Sequence, residues 1–117
     1  MDAKDIGKLG EDAACNFLKK NKYTILSRNY RQRYGEIDIV AKRKGVVSFV
    51  EVKTRKDDSF GLPCEYVTAS KREKLKKTAS AYLTEHELDT ACSFDVMEVY
   101  HTAGKVTRLR HIQNAFE

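Results

Sequence analysis

Gly35-Glu36-Ile37-Asp38-Ile39-Val40-Ala41-Lys42-Arg43-Lys44-Gly45-Val46-Val47-Ser48-Phe49-Val50-Glu51-Val52-Lys53-Thr54 reads as a β-hairpin. Two runs rich in Ile, Val and Phe flank Lys44-Gly45, where the glycine supplies the positive backbone angle that a tight turn between antiparallel strands requires. Lysine is not the favoured partner in such a turn, so its type stays open. A loop centred between Lys44 and Gly45 sets Asp38 across from Glu51 and Glu36 across from Lys53, all on one face with Val40 and Phe49. Ile37, Val52, Ile39 and Val50 then share the other face.

One face is thus apolar and the other turns ionic partway along. Directly opposed side chains sit roughly 5 Å apart at Cβ, where two carboxylates repel and one pKa rises unless positive charge lies between them. A divalent cation and an ammonium would both serve. Magnesium suits the arrangement because it takes hard oxygen ligands, needs one or two carboxylates and keeps some of its waters. Lys53, two residues past Glu51 on the same face, is placed to work on an attacking water or on charge building at a phosphate. An ordinary half-exposed strand also alternates Glu-Val-Lys, and Glu36 with Lys53 would then be a surface ion pair of little energetic value. Asp38 at the matching position is what sets this hairpin apart.

Asp38 followed by Glu51-Val52-Lys53 resembles the Asp...(Asp/Glu)-x-Lys signature of restriction-endonuclease-like nucleases. Ile37 stands where that superfamily often carries proline. Over nearly its whole length the chain also resembles the YraN-type family of small bacterial proteins. Gly10-Glu11, Arg28-Asn29, Gly35-Glu36-Ile37-Asp38, Phe49 to Arg55, Phe60-Gly61 and Phe94-Asp95-Val96 carry that likeness. The resemblance implies a fold similar to archaeal Holliday-junction resolvases and a nucleolytic activity. It also implies that a glutamate from the first helix, here Glu11, reaches the metal site. By the same likeness a homodimer is expected, with two sites facing one branch point.

The chain has 117 residues, 41% hydrophobic and 33% charged, which suits one restriction-endonuclease-like domain over 1–117 with one modest core. Lys and Arg outnumber Asp and Glu by 22 to 17, giving +5, a balance that favours polyanion partners. Between Asp12 and Asp57 the acidic residues are Glu36, Asp38 and Glu51, set in a segment otherwise rich in lysine and arginine. A phosphate-binding surface around a metal site produces this pattern, as does a plain solvated basic surface. Cys15, Cys64 and Cys92 show no zinc or disulfide spacing, and neither an apolar leader nor a run of transmembrane length is visible. A soluble, cytoplasmic protein with reduced thiols is expected.

Helical spacing of Ile6, Leu9, Ala13 and Phe17 predicts a helix over about 5–20, with Glu11 at the edge of its apolar stripe. A first strand is expected over 23–33, where Arg28 and Arg31 can grip phosphates and Tyr30 or Tyr34 can stack on a base. Residues 55–69 carry turn formers and read as a loop beside the site. Ser70 and Glu73 form a capping-box signature for a second helix whose buried stripe is Leu75, Ala79, Tyr82 and Leu83. Lysines and arginines crowd its start, where the helix dipole disfavours them, which suggests a held anion. Strands are expected over 93–101 and 106–112. His86, His101 and His111 read as ordinary surface or strand residues.

The expected architecture is α/β, a mixed central sheet flanked by helices in the order α-β-β-β-α-β-β. The expected activity is magnesium- or manganese-dependent hydrolysis of DNA, branched DNA included. Asp38 and Glu51 would hold the metal, helped by the Val52 carbonyl and Glu11; Lys53 would act on water or phosphate. Arg28, Arg31, Arg55 and Lys71 would bind backbone phosphates. The competing readings are a nucleic-acid-binding protein that keeps the scaffold without turnover, and a protein-interaction module, which would leave the basic segment unexplained.

Overall fold

The computed structural model describes residues 2–57 and 68–116. Helix α1 (Ala3–Lys20) starts at Asp2, whose carboxylate accepts from the Asp5 N–H at 2.9 Å and satisfies one of the amides that a helix start leaves without an intrahelical acceptor. Lys22, at φ 69°, then redirects the chain into β1 (Thr24–Gln32). β2 (Gly35–Arg43), β3 (Val46–Lys56), α2 (Ala69–Glu85), β4 (Ala91–Thr102) and β5 (Lys105–Phe116) follow. This is the expected order. The strands lie side by side in chain order, β3 and β4 parallel and the other neighbours antiparallel.

A parallel pair needs a long crossover, and the β3-to-β4 connection supplies it with α2. The apolar alternation of the strands is thereby covered on both faces. On one, Leu75, Ala79 and Tyr82 of α2 pack on Val40, Val47, Phe49 and Val96. On the other, Ala14, Cys15 and Leu18 of α1 pack on Ile39, Val50, Met97 and Val99. No described helix is long and apolar enough to cross a membrane.

Lys44 (φ 51°) and Gly45 (φ 76°) both have positive φ, as a type I′ hairpin turn demands. Lysine tolerates that conformation at about 1 kcal/mol. The turn sets the register expected from its centre, from Arg43 opposite Val46 to Ile39 opposite Val50. There the ladder stops. The side chain of Asp38 takes over as acceptor, its Oδ2 receiving the Val52 N–H at 2.8 Å. Ile37 consequently leaves the α1 face, where strict alternation with Ile39 would put it, and joins Val40 and Phe49 on the α2 face. Tyr30, its β1 partner, goes with it; Asn29, at φ 53°, provides the matching twist.

The expected pairs Asp38 with Glu51 and Glu36 with Lys53 are therefore not opposed ladder positions. Glu36 instead points outward and takes the Arg31 guanidinium at 3.0 Å.

Two further expectations change. Helix α2 is capped by Thr68, whose hydroxyl accepts from the Lys71 N–H at 3.2 Å, and not by Ser70 with Glu73. A capping residue needs extended backbone, which Thr68 has (ψ 163°) and Ser70, already helical, has not. His101 and His111 are strand residues, one of the two readings given, with His101 and the side chain of His111 buried. Last, the connection read as 55–69 is shorter: β3 continues to Lys56 and α2 begins at Ala69, while 58–67, with Cys64, lies outside the described residues.

Candidate functional site

Glu51 and Lys53 stand on β3, which β4 supports in unbroken parallel register from Val46 opposite Ala91 to Lys56 opposite His101. Asp38 stands where β2 parts from β3. A third element arrives because Gly10 lets α1 lie against β3: a Cβ there would overlap the Thr54 hydroxyl. That close approach sets Glu11, the next residue, beside Val52, Lys53 and Asp38. The fourth is the first turn of α2, which carries Lys71.

Asp38, Glu51 and Lys71 line one recess of about 400 Å³ between the sheet and α2, its inner wall formed by Phe49, Leu75 and Phe94. Both carboxylates open into the same space. The Glu51 side chain is 11% exposed, and its Oε1 receives Lys53 Nζ at 3.2 Å and also the ammonium of Lys71. Its Oε2 is buried with no hydrogen-bond partner among the described residues. That is costly, because a buried polar atom without a partner forfeits its hydration uncompensated.

Burial pushes the Asp38 carboxyl up to about 6; the Val52 N–H pulls the other way, and the charges of Glu51, Glu11 and Glu36 add to the rise. Around Lys71, burial works against the charged form, but the hydrogen bond and charge of Glu51 outweigh it and raise the ammonium above its ordinary value.

Glu11 reaches the cluster from the α1 side, where it lines a second recess with Asp38, and its Oε1 is 3.6 Å from Arg28. Asp38 thus faces both recesses. No three His, Cys, Asp or Glu side chains among the described residues are grouped closely enough to hold an ion in their present rotamers. Asp38, Glu51, Lys53 and Lys71 are brought together; Glu11 is adjacent. Arg28 donates to Asp12 at 2.8 Å, and Arg31 is engaged with the exposed Glu36 at the edge of the recess. Arg55 lies two residues beyond Lys53 on β3.

The donors fit magnesium or manganese in kind. Glu51 offers an unpartnered oxygen and Asp38 a second carboxylate. The Val52 carbonyl projects to the same strand edge as its N–H, which Asp38 holds. Hard oxygens from one or two carboxylates, with room for water, are what magnesium takes.

Two acids escaped the sequence reading. Glu98 is 1% exposed and stands in register beside Lys53 on the neighbouring strand. The signal was available: a lone glutamate within Val96-Met97-Glu98-Val99-Tyr100. Asp95 is also 1% exposed, accepting from Ser93 Oγ (3.0 Å) and the Asn114 N–H (3.1 Å) and pairing with His111 at 2.8 Å. It ties β4 to the irregular end of β5, and although it adjoins the recess its two oxygens are already engaged in that structural duty.

Comparison with known proteins matches residues 10–99, a span holding Glu11, Asp38, Glu51, Lys53 and Lys71, to the family described as Uncharacterised protein family UPF0102. The chain is 44% identical over 117 residues to a UPF0102 protein of Clostridioides difficile, covering 99% of this chain and 100% of that one. It is 46% identical over 112 residues to a UPF0102 protein of Symbiobacterium thermophilum, covering 95% of each. With a UPF0102 protein of Trichlorobacter lovleyi it shares 44% over 114 residues, 96% of this chain and 90% of the other.

Proposed function

The chain belongs to the UPF0102 family, and from that membership and the geometry around Glu51 we propose that it is a divalent-metal-dependent nuclease hydrolysing phosphodiester bonds of DNA, branched DNA included. The observation that carries the reading is the state of Glu51: a buried carboxylate with one oxygen crowded by two ammonium groups and the other left without a partner, beside a second carboxylate whose pKa is raised. A purely structural acid would be satisfied on both oxygens, as buried polar groups generally are. Perturbed carboxylates in a recess are a mark of functional sites.

Asp38, Glu51 and the Val52 carbonyl would hold Mg²⁺ or Mn²⁺, with Glu11 reaching it from the α1 side. Bound there, the ion would supply Lewis acidity toward the phosphodiester and toward water. Lys53, fixed on the sheet and held at Glu51, would place its ammonium where the phosphate accumulates negative charge. Water would attack phosphorus as the bond from phosphorus to one bridging oxygen breaks; one water proton ends on that leaving oxygen and the other on the new phosphate end or in solvent, with no covalent enzyme intermediate. Arg28, Arg31, Arg55 and Lys71 would bind flanking phosphates, in keeping with the net charge of +5. Two chains acting as a homodimer would place two recesses at one branch point.

The test is incubation with supercoiled, linear and four-way-junction DNA, with and without Mg²⁺ or Mn²⁺, for the parent protein, Asp38→Asn and Lys53→Ala. Metal-dependent cleavage lost in both variants supports the nuclease. A second reading is favoured by one contact, the Lys71 ammonium that already neutralises Glu51: a nucleic-acid-binding protein without turnover. Binding that survives both substitutions, with no cleavage by the parent, would establish it instead.

A further inference from the structure

Glu51 carries two ammonium groups on a single oxygen, and they come from elements of different character. Lys53 is built into β3, two residues away on the same strand and locked by β4. Lys71 reaches across from the first turn of α2, where its backbone N–H is held by the Thr68 hydroxyl. Its four-carbon stem can withdraw from Glu51 by bond rotation alone, without moving the helix. Lys71 also lines the recess into which Asp38 and Glu51 open.

We propose that Lys71 is a built-in competitor of the divalent ion: its ammonium holds Glu51 until the ion takes that carboxylate, whereupon the side chain turns to a backbone phosphate of the nucleic acid. The inference rests on the reading of this cluster as a metal centre. A monovalent and a divalent cation a few ångströms apart repel by about 2 kcal/mol even at the dielectric of water, so the two occupants of Glu51 exclude one another. A polyanion that draws Lys71 away must therefore tighten metal binding, and metal must tighten polyanion binding by the same factor, since such coupling is reciprocal. The free protein would hold its metal weakly and load it when substrate arrives.

The experiment is calorimetric titration of the metal-free full chain with Mn²⁺ at pH 7.5, for the parent, Lys71→Met, Lys71→Gln and Lys74→Met. Lys74 lines the same recess but is exposed, and the ion pairs of Glu51 among the described residues are with Lys53 and Lys71. The far-UV circular dichroism and melting temperature of each metal-free variant report its folding, and Lys71→Gln serves should Lys71→Met fold poorly. The Lys71 variants are expected to bind Mn²⁺ roughly tenfold tighter or more than the parent, with Lys74→Met within about twofold of it. A phosphorothioate oligonucleotide should raise Mn²⁺ affinity of the parent more than that of the Lys71 variants.

Equal Mn²⁺ affinity in parent and Lys71 variants overturns the competition and leaves the metal-centre reading standing. An equal gain in Lys74→Met also overturns it, by reducing the effect to net charge. Absence of Mn²⁺ binding in every protein overturns the metal-centre reading and this inference with it.

Discussion

Asp38→Asn should make the metal-free protein more stable at alkaline pH and almost indifferent at acid pH. In the folded chain burial raises this carboxyl from 3.8 to about 6. Between those values the folded state binds more protons than the unfolded chain, so stability falls as pH rises. Asp38 therefore imposes no penalty below its unfolded pKa. It imposes the full one above about 6, where the folded chain has to carry it ionised. Two pKa units correspond to about 3 kcal/mol, and relaxation around the site reduces that to about 1–2 kcal/mol in practice. Asparagine is neutral throughout and keeps an oxygen for the Val52 N–H.

Urea unfolding in the presence of a chelator should give the variant about 1–2 kcal/mol of added stability at pH 8, or about 4–8 °C in melting temperature, and about half a kcal/mol or less at pH 4. Added Mn²⁺ should then raise the melting temperature of the parent and not of the variant, because only the parent retains the carboxylate. A variant less stable than the parent at pH 8, or one that gains equally at both pH values, would refute the reasoning.

Gly10→Ala should cost about 2–3 kcal/mol in urea unfolding, because the new methyl overlaps the Thr54 hydroxyl; adding Thr54→Ala should recover at least about 1 kcal/mol of it, and purely additive losses would show that the close approach is not the cause. Asp95→Ala strands His111, Ser93 Oγ and the Asn114 N–H, and a loss of about 3 kcal/mol in the urea midpoint is expected; less than about 1 kcal/mol would mean the buried pair contributes little. Glu36→Gln should change stability by less than about 0.5 kcal/mol and leave Mn²⁺ affinity unaltered, since its pair with Arg31 is exposed; weakened Mn²⁺ binding would place Glu36 in the site after all.

The hairpin register was legible because local chemistry decides it: Gly45 forces the turn, and the turn counts outward to Ile39 and Val50. Two residues further the counting fails. Asp38 substitutes a side-chain oxygen for a backbone acceptor, and nothing in the pattern Ile37-Asp38-Ile39 announces that exchange. Asn29 could have hinted at it, being a residue type that tolerates positive φ, but only with the β1–β2 pairing known. Juxtaposition of Asp38, Glu51 and Lys53 survived this failure because the departing strand still delivers its carboxylate to the same recess. The Thr68 cap was lost to Ser70 because the Ser-x-x-Glu spelling is the stronger local signal, while helix entry is set by where the crossover returns to the sheet. Buried His101 and His111 were invisible since their burial depends on α1 and on the β4–β5 pairing, both distant in sequence.

The unbroken parallel seam between β3 and β4 divides the recess into a half that is hard to open and a half that is not. Backbone amides of Val47 to Val50, paired on both sides, and those of β3 beyond them that face β4 should exchange with deuterium only through global unfolding. Those near Gly35 to Asp38, beyond the last rung of the hairpin, and at the first turn of α2 should exchange through smaller openings. Glu51 and Lys53 ride on the slow part, Asp38 and Lys71 on the fast. A ligand entering the recess would meet one jaw already set and would close the other, so amide protection gained on binding should concentrate in β2 and the start of α2.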